Sequence, residues 1–325
     1  MLYALALHIR HWLYDEGLLP SHTPSVATVC VGNLAFGGTG KTPHVEWLVR
    51  LLSPQYKIAV LSRGYGRKTH GFRMADDNST ALTIGDEPMQ MHRKFPDLPI
   101  AVCADRHRGI KQLQRMIDGL QVVILDDALQ HRSIRCGLNI LLTAQNKLYI
   151  DDRVFPWGTL RDLKHRFLAA QAVIVTKCPD NFKPIDKRVI DNRLHLAAFQ
   201  QLYFSRIVYG DIPAPDETSK SPLILTGIAS PEPFIEHIKA VYPKAVAKTY
   251  RDHHRFTKAE MMDIANEAQK RSYVFTTEKD YERLLLTPLM EALERKLVVV
   301  PITVEIDRPE VLEKQIIRYI NETLR

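Results

Sequence analysis

Residues Ala35–Thr42 (AFGGTGKT) constrain the fold of this 325-residue chain more than any other segment. They follow the run VCVGN and precede a helical pattern that begins at Pro43. Glycines let consecutive backbone N–H groups curl around phosphate oxygens, and the N-terminus of the next helix adds a favourable dipole. At the end of such a loop, Lys41 is placed for the β and γ phosphates and the Thr42 hydroxyl for Mg²⁺. The strict pattern begins with Gly where this chain has Ala35. Pro43 costs little in a first helical turn, where its missing N–H has no intrahelical partner. The segment therefore predicts a nucleoside triphosphate held by Ala35, Phe36, Gly37, Gly38, Thr39, Gly40, Lys41 and Thr42.

The rest of the chain suits the parallel sheet that such a loop requires. Apolar runs at Val26–Val31, Ile58–Leu61, Ile100–Cys103, Val122–Leu125, Leu138–Leu142 and Ala172–Val175 read as strands covered on both faces. Between them, Pro43–Leu52, Glu87–Lys94 and Arg106–Ile117 read as helices. This alternation predicts an α/β fold, a mostly parallel sheet flanked by helices. The polar, Pro-rich stretch Gly210–Pro222 reads as a linker, beyond which a smaller α/β unit resumes. The expected division is an N-terminal helix over 1–21, a nucleotide-binding domain over 22–209 and a smaller domain over 210–325.

A second acidic signal supports the first. The strand VVIL ends in Asp126-Asp127, and in a parallel sheet its carboxyl end faces the crevice of the phosphate loop. Asp126 is the stronger metal candidate, with Asp127 beside it. Asp86 and Glu87 stand on a turn before a helix, where a helix cap is the competing explanation. Arg63, Arg106 and Arg161 follow strand ends or turns. His253 and His254 are adjacent, so their side chains diverge and make a poor metal pair.

Composition narrows the partners. The formal charge of +7, from 44 Lys plus Arg against 37 Asp plus Glu, favours phosphates, nucleic acid or an anionic membrane. The basic residues are scattered and no nucleic-acid-binding module is visible, which sets nucleic acid aside. Four dispersed cysteines read as thiols of a reducing compartment. In the first 17 residues, Leu2, Leu5, Ile9 and Leu13 recur at helical spacing with Trp12 beside them. Such a helix lies on a membrane surface or packs on the core.

Together, VGNLAFGGTGKTP (31–43), LSRGYGR (61–67), GDEP (85–88), DDALQHR (126–132), FPWGTLRD (155–162), LTGIASP (225–231), DHH (252–254) and TEKD (277–280) resemble the tetraacyldisaccharide 4′-kinase family of lipid A biosynthesis. These segments span nearly the whole chain. The resemblance implies transfer of the γ-phosphate of ATP to the 4′-hydroxyl of a tetraacylated glucosamine disaccharide 1-phosphate, giving lipid IVA. It also implies Mg²⁺, two α/β domains joined by a two-stranded link, and no obligate protein partner. The family acts at the cytoplasmic face of the Gram-negative inner membrane, which favours the interfacial reading of the N-terminal helix. By matching position, Asp86 is the implied base and His253 its partner. Thr42, Asp126 and Asp127 form the metal region. Arg63, Glu87, Arg106, His131 and Arg161 are implied to position substrate or phosphates. Ala128 stands where many members have Gly. The rival readings are a soluble kinase or ligase of the same fold, and a nucleotide-driven switch, for which Thr176-Lys177-Cys178-Pro179 is a faint echo of a base-selecting motif.

Overall fold

The computed structural model describes residues 2–215, 220–252, 254 and 256–325. Its strands are β1 (Ala27–Asn33), β2 (Ile58–Ser62), β3 (Arg73–Met74), β4 (Ile100–Val102), β5 (Val122–Asp126), β6 (Leu138–Ala144), β7 (Ala172–Thr176), β8 (Gln201–Tyr209), β9 (Leu223–Thr226), β10 (Val246–Thr249), β11 (Val274–Thr277), β12 (Leu297–Val300) and β13 (Ile302–Ile306). Its helices are α1 (Leu2–Asp15), α2 (Lys41–Leu52), α3 (Ala81–Ile84), α4 (Asp86–Lys94), α5 (Arg106–Met116), α6 (Pro184–Leu194), α7 (Glu232–Val241), α8 (Lys258–Gln269), α9 (Glu278–Leu284), α10 (Leu289–Leu293) and α11 (Pro309–Thr323). Among the described residues, one sheet has the order β13-β8-β7-β6-β1-β5-β2-β4-β3, antiparallel only at its two edges. A second, all-parallel sheet has the order β10-β9-β11-β12.

β1 and β5 are buried along their whole length, because helices cover both faces of the large sheet. One layer of core joins Val29, Val31, Val45, Val49 and Ile124 to Leu312, Ile316 and Ile320 of α11. The opposite layer holds Cys30, Leu125, Ile110 and Leu113. The structure corrects the expected division at residue 210. β13 pairs with β8, and α11 packs under β1, so residues 302–323 return to the large sheet. The chain leaves at Gly210 and re-enters at Pro301, where the Gly210 N–H donates to the Pro301 carbonyl at 2.8 Å.

α1 is inverted relative to an ordinary surface helix. Beside buried Leu7 its inner face is polar: the Tyr3 hydroxyl donates to the Arg161 carbonyl (2.8 Å), Arg10 to the Gln130 carbonyl (2.8 Å), and His11 meets buried Asp162. Its outer face exposes Leu2, Leu5, Ile9 and Trp12, the last in place of the expected Leu13, which is half-buried. Among the described residues no helix is long and apolar enough to cross a membrane.

Candidate active site

The phosphate loop connects β1 to α2, which starts at Lys41, two residues before the expected Pro43. Gly40 precedes it with φ 84°, a left-handed conformation that a side chain would strain. Ala35 lies outside that region and forms a β-bridge with Leu160, so its Cβ is tolerated where the strict motif has Gly. Side chains brace the loop from below. Asn33 donates to the Thr39 hydroxyl at 2.9 Å, and the Thr176 hydroxyl to the Thr39 carbonyl at 2.9 Å. His44 bridges the Gly40 carbonyl (2.7 Å) and Ser205 (2.9 Å). Burial pushes the His44 pKa down to about 4, so it is neutral and its Nδ1–H serves Gly40. Among the described residues, the N–H groups of Gly38, Gly40, Lys41 and Thr42 donate to no protein acceptor, as an anion-binding loop requires. Phe36 departs from the expected set. Its N–H is taken by the Thr159 carbonyl at 2.7 Å, and its exposed ring meets Phe155 edge-on.

The two aspartates divide their duties. Asp126 is buried and accepts from Ser62 on one oxygen at 2.9 Å, while its Oδ1 is buried with no protein partner. Burial, with Asp127 beside it, pushes its pKa up to about 6. Asp127, at φ 55°, instead receives the Arg161 guanidinium on both oxygens and Lys41 at 3.8 Å. Arg161 and Lys41 hold its carboxyl below the usual range against burial, which opposes them. The left-handed residue is thus Asp127, and Ala128 needs no glycine-like freedom. The orphaned Asp126 oxygen and the half-buried Thr42 hydroxyl suit Mg²⁺, which takes few protein oxygens and completes its shell with phosphates and water. No group of three or more His, Cys, Asp or Glu poised for a metal occurs among the described residues.

Asp86 opens α4, preceded by Gly85 at φ 100°. A Cβ on Gly85 would meet the Tyr65 carbonyl at 2.9 Å, so the SRGYG turn and the GDEP turn back onto each other. The smaller unit supplies the opposite wall. Arg283 of α9 lies 3.6 Å from Asp86, and Lys279 lies 3.0 Å from Glu87 and 3.1 Å from Asp252. The charge of Glu87 adds to the upward shift of the Asp126 pKa, after burial and Asp127, and Lys41 opposes it.

A family model described as tetraacyldisaccharide-1-P 4′-kinase matches residues 1–321. The chain belongs to that family. A tetraacyldisaccharide 4′-kinase of Flavobacterium johnsoniae is 42% identical, covering 100% of this chain and 96% of the relative. One from Bacteroides thetaiotaomicron is 40% identical, covering 100% and 92%. The crystal structure of LpxK from Aquifex aeolicus in complex with ATP shares the fold, with a TM-score of 0.74 at 23% identity over 98% of this chain and 96% of that one. As a family member the protein is a kinase that uses ATP and Mg²⁺ and acts on a lipid disaccharide.

The other family-matched positions fall in different places. Arg63 is exposed. His131 is half-buried, and burial, with Arg106, Arg63 and Arg10 nearby, pushes its pKa down to about 4. Arg106 requires a correction, because its side chain is fully covered and cannot reach a substrate. It donates to the Cys103 carbonyl (2.7 Å) and the Asp126 carbonyl (3.3 Å), propping the acidic pair from behind. His253 lies outside the described residues. His254 contacts Glu260 at 3.0 Å and stacks on Tyr250, a structural duty at the start of α8. Sequence reasoning missed Asn33, His44, Lys279 and Arg283. The TEKD segment was the one available signal for Lys279.

Proposed function

We propose that the chain transfers the γ-phosphate of ATP to the 4′-hydroxyl of tetraacyldisaccharide 1-phosphate, forming lipid IVA. The observation that carries this reading is the orphaned Asp126 oxygen, which feels the charges of both Lys41 of the phosphate loop and Glu87 beside Asp86. The free loop N–H groups and Lys41 hold the β and γ phosphates. Asp126 and Thr42 would hold Mg²⁺, which when bound would supply positive charge to the phosphates. Arg161, fixed by Asp127, would add positive charge beside Lys41, which contacts the same carboxylate. Asp86 takes the 4′-hydroxyl proton as the new O–P bond forms and the bond to ADP breaks. A loose transition state makes positioning and charge neutralisation the main contributions. His253 is the proposed partner of Asp86 by family position.

The acceptor is a lipid, and the molecular surface beside the site suits one. Exposed Leu2, Leu5, Ile9 and Trp12 adjoin a groove lined by Ala4, Arg153, Val154, Phe155 and Trp157. Phe155 is edge-on to both Tyr3 of α1 and Phe36 of the phosphate loop, so this apolar surface reaches the nucleotide site. This apolar surface supports peripheral attachment to a membrane, which by family position is the cytoplasmic face of the inner membrane. The test is incubation with labelled ATP and tetraacyldisaccharide 1-phosphate, followed by chromatography of the lipid. A labelled product one phosphate heavier is expected, and nucleotide hydrolysis with no labelled lipid would refute the assignment.

A further inference from the structure

Away from the crevice, one ammonium group ties four elements together. Lys94, the last residue of α4, donates to Glu278 of α9 at 2.7 Å and lies 2.8 Å from Glu46 of α2. It also reaches the Ile302 carbonyl of β13 at 3.4 Å, and Glu278 accepts from the Ile302 N–H at 3.2 Å. Glu46 is fully buried, and Gln90 donates to its other oxygen at 3.0 Å. Lys94 therefore joins the helix of the phosphate loop, the helix of Asp86, the smaller unit and the strand by which the chain returns from it. Arg93 adds a second pair to the same seam, 2.6 Å from Glu282.

We propose that Lys94 is a positioning residue that fixes the register of α4 on α9, and through it the placement of Asp86 against Arg283. The inference rests on the catalytic reading of Asp86 given above. α4 is a short rigid rod, with Asp86 at one end and Lys94 at the other. If α4 slides on α9, the displacement at the Lys94 end appears at Asp86. Glu46 ties the same ammonium to the phosphate-loop helix, so donor and acceptor sites share one anchor.

The test combines kinetics with a distance that needs no turnover. Glu278→Gln removes one arm and leaves the buried Glu46–Lys94 pair intact. Its kcat should fall about tenfold while KM for ATP stays within about twofold of wild type. Spin labels at Arg115→Cys on α5 and Lys239→Cys on α7, both exposed positions, should give a broader distance distribution in Glu278→Gln than in the parent. Lys94→Met alone leaves buried Glu46 with only the longer Arg50 contact at 3.4 Å as its charge partner, so a loss of stability is expected there. The double variant Glu46→Gln/Lys94→Met removes that charge, and should regain stability while kcat stays low. Recovery of both stability and kcat in the double variant would make Lys94 a fold-stabilising residue and overturn the proposal. Wild-type kcat with an unbroadened distribution in Glu278→Gln would overturn it equally. Because the distance arm is independent of substrate, it separates this inference from a failure of the assigned reaction.

Discussion

Asp126 and Asp127 are chemically identical neighbours, and only their surroundings separate them. One is buried with an open oxygen; the other is saturated by Arg161 and Lys41. Sequence alone ranked Asp126 ahead of Asp127 for the metal but not what occupies Asp127, because Arg161 arrives from 34 positions away. Asp86→Ala should lower turnover by about 10²–10⁴-fold and leave ATP affinity nearly unchanged, as loss of a general base does. Near-normal turnover would remove Asp86 from the mechanism, and isothermal titration with ATP supplies the control. His44 gives a pH prediction with a definite sign. Its folded pKa, about 4, lies below the unfolded value of 6.5, so the unfolded chain takes up the proton first. Its stabilising contribution is present above pH 6.5 and lost as pH falls toward 4. About 2 kcal/mol should be gone by pH 5, an order-of-magnitude figure. Urea unfolding of wild type and His44→Gln at pH 7 and pH 5 checks this, with the variant expected to show the smaller acid loss.

At the scale of elements, the strands that carry the site were legible because they are buried on both faces and therefore uniformly apolar. β8 and β13 were not, since QLYFSRIVY and ITVEI carry polar residues and find each other across about 100 positions of chain. α1 was legible as amphipathic, yet its orientation was not. Apolar spacing is the same whether the stripe faces the core or a bilayer. The hydrogen bonds of Tyr3, Arg10 and His11 settle which face the protein takes. Leu5→Glu with Ile9→Glu should therefore leave thermal stability unchanged. It should weaken partition onto anionic vesicles about 10²–10⁴-fold, at about 1.5–3 kcal/mol for each of the two apolar side chains. Flotation with phosphatidylglycerol vesicles reads this directly, and unaltered flotation would show that α1 does not carry the attachment.

For the whole molecule, the chain crosses between its two sheets at Gly210 and Pro301. A Cβ on Gly210 would meet the Pro301 ring at 2.6 Å. Gly210→Ala should force these crossings apart and lower kcat more than it raises KM for ATP, because the phosphate loop is built between β1 and α2 of the large sheet. Steady-state kinetics at varied ATP separates the two effects, and equal changes in both would place the damage in the nucleotide site. The sequence by itself determined the donor site: strand, glycine loop, Lys41, Thr42 and helix are contiguous, so local backbone chemistry is enough. It also determined the alternating α/β pattern, since burial on two faces leaves an apolar signature. Only the tertiary structure decided that residues 302–323 rejoin the first sheet, that Arg106 supports the site from behind, and that Arg283 and Lys279 face Asp86 and Glu87. Those facts depend on which segments meet across the fold, and pairing between distant segments leaves no periodicity for a local pattern to reveal.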